Sequence, residues 1–157
     1  MKTILIALLA VLYIPVMASA QIGAAAGTAK DWIKLTEDGD YKELSTPLVG
    51  VSYDVAMTDS RGYTLSYRGS DGDIRIHEYS FGMYARKKDK ITIFADASGE
   101  TWDDGATGST EFLWGGRTGV RATIVGGGTS ELSVAYKGGE EGKRHVTVFF
   151  GLRIAAS

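Results

Sequence analysis

The chain of 157 residues contains no cysteine, no asparagine, two histidines and two prolines. Without cysteine there is no thiolate nucleophile, no thiolate metal site, no disulfide and no thiol to carry a lipoprotein acyl chain. Without asparagine there is no N-glycosylation acceptor. Charge of one sign is not in excess either: 17 Lys+Arg stand against 19 Asp+Glu. That mild acidity gives no overall electrostatic footprint for nucleic acid or for anionic lipid headgroups. Long apolar runs are also scarce. The run from Ile4 to Val16 is 13 residues, short of the roughly 20 that a helix needs to cross a bilayer core.

That run sits in a recognisable context. Met1-Lys2 supplies one positive charge, Pro15 ends the helical stretch, and Ala18-Ser19-Ala20 places small residues around a one-residue gap. Together these read as a cleavable secretory signal peptide over residues 1–20, cut between Ala20 and Gln21. The 137 residues that follow suffice for one domain. Export of a cysteine-free domain of this size points to a bacterial envelope rather than to a small animal secreted domain, which usually relies on disulfides.

All the glycines follow the leader, with Pro47 as the one proline among them. Many glycines with little proline suit turns, bulges and sheets better than helices. Residues 21–45 read as a loose segment, Gln21 to Lys30, followed by one short helix. Trp32, Ile33, Leu35 and Leu44 could share a helical side, with the helix running from Ala29 to about Asp38 and Gly39 as its cap. The stretch Trp32-Ile-Lys-Leu35-Thr-Glu37-Asp-Gly39-Asp40-Tyr41 resembles the first-helix signature of small exported domains with the cystatin-like cone fold. Those domains continue with more helix, whereas here strands begin at Pro47.

Residues 46–157 then read as an antiparallel β domain. Val49, Val51, Tyr53, Val55 and Met57 alternate with Gly50, Ser52, Asp54 and Ala56. Further period-two runs lie around Tyr63–Tyr67, Ile74–Met83, Ile91–Ala95, Phe112–Trp114, Val120–Ile124, Leu132–Tyr136 and Val146–Ile154, eight in all. Ile74 and Ile76 are out of phase with Tyr79, Phe81 and Met83, which predicts a β-bulge near His77-Glu78. Short turn-forming linkers, Gly116–Gly119 among them, make sequential strands antiparallel neighbours. The expected fold is therefore mainly β: about eight antiparallel strands in a barrel or strongly curled sheet, with one short N-terminal helix.

Residues able to carry chemistry are few. His77 and His145 are the imidazoles, both on strand runs, and no G-x-S-x-G is present, so no catalytic residue is assigned. The acidic stretch Asp96 to Asp104 is the candidate metal loop, with Asp96, Glu100, Asp103 and Asp104 as oxygen ligands for a hard cation. The same carboxylates, with Trp102 as a sugar platform, are the candidate machinery of a carbohydrate-acting enzyme. Trp102 and Trp114 are candidate ligand-binding aromatics. Gly115-Gly116 and Gly126–Gly128 lack the helix N-terminus of a phosphate cradle and read as turns or bulges. No cofactor is implied.

The first functional reading is a non-enzymatic binding or structural module of the periplasm or cell exterior, water-soluble, with no nucleic-acid partner. The alternative is a small eight-stranded outer-membrane β-barrel, the one reading that implies membrane association. Phe149-Phe150-Gly151-Leu152-Arg153-Ile154 resembles the closing strand of such barrels. Against it, the runs around Phe112, Val120 and Leu132 reach only about seven residues where a spanning strand needs about 9–11. The two longest loops, Glu100–Gly108 and Gly138–Arg144, are moreover expected at opposite ends. A secreted enzyme using the Asp96–Asp104 loop is the remaining reading.

Overall fold

The computed structural model describes residues 20–34, 37–70, 74–87, 90–104, 109–124 and 128–156. They form eight strands: β1 (Ala20–Lys34), β2 (Lys42–Thr58), β3 (Arg61–Gly69), β4 (Ile74–Lys87), β5 (Ile91–Asp104), β6 (Ser109–Thr123), β7 (Gly128–Gly138) and β8 (Arg144–Ala156). Each pairs antiparallel with the next, and β1 also pairs with β8, so the sheet closes. The mainly-β, eight-stranded barrel expected from the alternation is what forms. One 3₁₀ turn lies at Glu140–Gly142.

The register fixes the shape. A path across the ladder from Ile22 runs through Tyr53, Leu65, Phe81, Ala97, Gly116, Tyr136 and Val146, and returns to β1 at Trp32, ten residues on. For eight strands at ordinary spacing and rise, that stagger tilts the strands by about 40° from the barrel axis. Some walls approach closely. At Gly82 an added Cβ would lie 2.1 Å from the Ala95 carbonyl oxygen, and at Gly115 it would lie 2.0 Å from that of Tyr136. Glycine at these inward-facing positions lets neighbouring backbone and side chains fill the space.

Several expectations need correction. The helix expected from Ala29 is instead the second half of β1, and the supposedly loose Gln21–Lys30 is its first half. Pairing with both β2 and β8 satisfies this backbone from two sides, which outweighs a weak helical pattern. Ala29, Asp31 and Ile33 then face inward while Trp32 lies on the opposite face, so the grouping of Trp32 with Ile33 is undone. Gly39 lies in a turn, and residues 35–36 are outside the described residues. The expected Gly116–Gly119 linker lies inside β6, which joins the Phe112 and Val120 runs into one strand of 15 residues. Eight was thus the right number for offsetting reasons: one strand was missed and another was counted twice.

The bulge expected near His77-Glu78 is absent. β4 keeps an unbroken register with β3 and β5, and the one shift between β2 and β3 falls at Ala56/Thr58. The phase change has another cause: Ile76 points into an apolar cluster at one end of the lumen, while Tyr79, Phe81 and Met83 point outward. The Asp96–Asp104 stretch is not a loop but part of β5. The connections also redistribute. Those at 35–41, 70–73, 105–108 and 139–143 share one end, the loop end, and those at 59–60, 88–90 and 124–127 share the other with both strand termini. Both long loops are therefore on the same side.

Candidate functional site

The two faces of the wall differ in chemistry. Outward stand Val49, Val51, Leu65, Phe81, Leu132 and Phe150, each between 44% and 64% exposed. Among the described residues, outward-facing charges on the strands lie near strand ends: Lys30, Lys34, Glu43, Arg75, Asp103 and Arg144 towards the loop end, Arg61 and Lys87 towards the short turns. At a tilt of about 40° the outward run rises about 20 Å along the axis on β8 (Val146 to Ile154) and about 25 Å on β6 (Phe112 to Ala122). Aromatic rings mark its margins. Trp32, Phe112, Trp114 and Tyr136 lie towards the loop end, and Tyr53 and Tyr63 towards the short turns.

Inward, every one of the eight strands contributes at least one buried charged residue. Nearer the loop end, His145 lies between Glu100 (Nδ1 to Oε1 2.5 Å) and Asp31 (Nε2 to Oδ1 2.9 Å). The Thr147 hydroxyl donates to the same Asp31 oxygen at 2.9 Å. Lys137 donates to both Glu100 and Glu78. Arg117 donates to Glu78 at 3.0 Å, to Asp96, and to the hydroxyls of Ser66 and Ser80 at 2.9 Å each. Nearer the short turns, Arg68 and Arg121 share Glu131, while Arg121 and Arg153 share Asp54 at 3.3 and 2.8 Å. Phe94 joins the two groups, its ring 5.2 Å from the Arg117 guanidinium and 4.5 Å from that of Arg121.

Hydrogen bonding sets the charge count. Each ring nitrogen of His145 faces a carboxylate oxygen, so each needs a proton to satisfy it. With the ring doubly protonated, six buried carboxylates (Asp31, Asp54, Glu78, Asp96, Glu100, Glu131) meet six cations. Such matching is what a low-dielectric interior requires. An apolar cluster of Ile33, Ile76, Trp102 and Leu113, with Leu44 against it, lies over the network towards the loop end. Beside Arg68, Arg121 and Arg153 the space left is about 10 Å³, room for about one water. Side chains fill this lumen, as the width of eight strands allows.

The candidate site residues do not converge. Asp96 and Glu100 face the lumen and hold Arg117, Lys137 and His145, whereas Asp103 points the other way from the same strand. The side chain of Asp104 is outside the described residues. No group of three or more His, Asp or Glu suited to a metal occurs among the described residues. Trp102 is 4% exposed and donates its indole N–H to Glu100, while Trp114 is 72% exposed on the outer face. Trp114 does line a groove of about 470 Å³ at the loop-end rim with Thr110, Glu111, Phe112, Glu140 and Lys143. His77 lies on the outer face, its Nδ1 2.8 Å from the Tyr67 hydroxyl. Sequence reasoning missed the lumen network itself. The available signal was that Arg117/Arg121 and Glu131/Lys137 repeat at even spacing on the face opposite the apolar one.

No protein-family model and no curated protein sequence matches this chain. Solved structures do share its fold. The outer membrane protein Ail of Yersinia pestis superposes with a TM-score of 0.65 at 11% identity, over 88% of this chain and 99% of Ail. Neisserial surface protein A gives 0.56 at 15% identity, over 87% and 97%. The N-terminal β-barrel domain of Pseudomonas aeruginosa OprF gives 0.52 at 12% identity, over 88% and 100%. At these identities the likeness is one of fold.

Proposed function

We propose that this chain is an exported protein of the bacterial outer membrane that spans the bilayer as an eight-stranded barrel, with a lumen that staples the wall rather than conducting solute. The observation that carries this reading is the inverted polarity of a closed barrel. Apolar side chains form the outer belt, while the charges are buried inside and paired. In water such a surface would expose far more contiguous apolar area than a monomer tolerates. In a bilayer it is the required arrangement, because closure satisfies every strand edge and the belt matches a hydrocarbon layer about 25 Å tall. The 15 residues of β6 and 11 of β7 meet the length needed for spanning. Short turns at one end and longer connections at the other fit the same class, as does the fold shared with Ail. The water-soluble module read from the sequence loses its two supports, short strands and opposed long loops.

The leader read over residues 1–20 supplies the export step, and protein taken from the membrane fraction should begin at Gln21. The decisive experiment is refolding of Gln21–Ser157 from denaturant. It is expected to fold only with detergent micelles or bilayers and to show heat-modifiable gel mobility. A stable β-rich monomer in plain buffer would restore the water-soluble reading.

A further inference from the structure

Net charge conceals a separation along the barrel axis. Among the described residues the loop end carries seven carboxylates against six Lys and Arg, and the short-turn end carries four Lys and Arg against Asp59 alone. The other charges among the described residues are the lumen set named above. The basic groups at the short-turn end are held on one arc. The Arg86 N–H donates to the Ser60 carbonyl at 2.7 Å, tying the 59–60 turn to the end of β4. The Lys90 carbonyl accepts from Thr123 N–H at 2.8 Å, tying the next connection to the end of β6. Arg61, Lys87 and Lys90 are exposed along this arc, and Arg86 extends across the Tyr84 ring at 5.9 Å. Met57, Tyr63, Met83 and Ile91 mark the start of the apolar belt beside them.

We propose that this arc is a docking collar for anionic phospholipid headgroups of the leaflet that faces the short turns. The inference rests on the reading that the barrel spans a bilayer. Cations at the margin of an apolar belt lie at headgroup depth, where their stems can stay against hydrocarbon while the charge reaches phosphate. One described carboxylate, Asp59, opposes four described cations on this arc. Among the described residues the opposite rim has no such basic excess, its seven carboxylates slightly outnumbering its six Lys and Arg, so the two leaflets meet surfaces of different charge. The collar therefore also favours one orientation of the barrel in a membrane whose leaflets differ in charge.

The absence of native cysteine makes a leaflet-resolved test direct. Ser60→Cys in the collar and, separately, Glu140→Cys at the loop end would each carry one fluorophore. The full mature chain would be folded into phosphatidylcholine bilayers containing a minor share of chain-nitroxide lipid, either phosphatidylglycerol or phosphatidylcholine. At low ionic strength, phosphatidylglycerol should quench the Ser60 label about threefold or more better than phosphatidylcholine. The Glu140 label should show no such preference. Arg61→Gln, Lys87→Gln and Lys90→Gln together, or 1 M salt, should bring the ratio at Ser60 to about one. Equal quenching by both lipids at Ser60 in the parent overturns the collar, as does a preference that survives the triple substitution. Quenching at neither position by either lipid overturns the bilayer reading, and the collar with it.

Discussion

Along β7, Leu132, Val134 and Tyr136 point outward while Glu131, Ser133, Ala135 and Lys137 point inward, and the other strands repeat this division with their own residues. The outer and inner faces share one backbone and one set of ladder hydrogen bonds, yet they are held to different standards. On the outer face the apolar side chains stand exposed, with few specific partners to satisfy. In the lumen each charge is matched to named partners, and its tolerance is set by distances near 3 Å. The barrel is thus loosely specified outside and tightly specified inside, the reverse of the usual surface and core of a water-soluble domain.

The largest break in that comparison should come from the lumen. Arg117→Met removes a guanidinium from Asp96, Glu78, Ser66 and Ser80, stripping Asp96 of its cation and leaving Glu78 with Lys137 alone. Removal of one member of such a network is expected to cost about 3–5 kcal/mol, read as a lower denaturation midpoint of the barrel in bilayers. A loss below about 1 kcal/mol would mean that water already screens the network and that it does not staple the wall.

A substitution on the outer face should cost less and should report the solvent. Leu132→Arg, placed well inside the belt, is expected to destabilise the barrel by about 2–4 kcal/mol in a bilayer. A water-facing Leu132 would accept the same change within about 0.5 kcal/mol. The measurement therefore sharpens the contrast between the faces and separates the two functional readings.

Glycine gives the smallest and cleanest contrast. Gly82→Ala forces a Cβ against the Ala95 carbonyl and Asp96 and should cost about 1–3 kcal/mol through displaced packing. Gly116→Ala points outward, where the nearest atom is 3.6 Å away, and should leave the midpoint unchanged or slightly raised. Equal effects at the two positions would show that backbone entropy rather than lumen space governs them.

The alternation that exposed most strands to sequence reading could not say which face is wet. Apolar-in and apolar-out barrels write the same period of two, and the usual assumption puts apolar residues inside. Ala24, Ala26 and Thr28 are too small to mark a strand, so β1 was legible only through the partners that flank it. The glycines of β6 look like a turn because nothing local shows that Gly115 and Gly119 leave room beside Lys137 and Phe94. Asp96 and Glu100 look like cation ligands until the strands that carry Arg117 and Lys137 are brought beside them. The mild net charge also concealed the separation between the two rims.

What the sequence by itself determined is the material: a short apolar leader pattern, strands with one apolar and one polar face, short turns such as that at Asp59-Ser60, and no thiol chemistry. Those features are local, written in neighbours one to four residues apart. Only the tertiary structure decided that β1 closes the sheet against β8, that the polar face is the inside, and that carboxylates from five strands meet cations from four, β7 supplying one of each. Closure joins residues more than a hundred positions apart, as with Asp31 and His145. No local pattern encodes which side of a closed sheet faces the solvent.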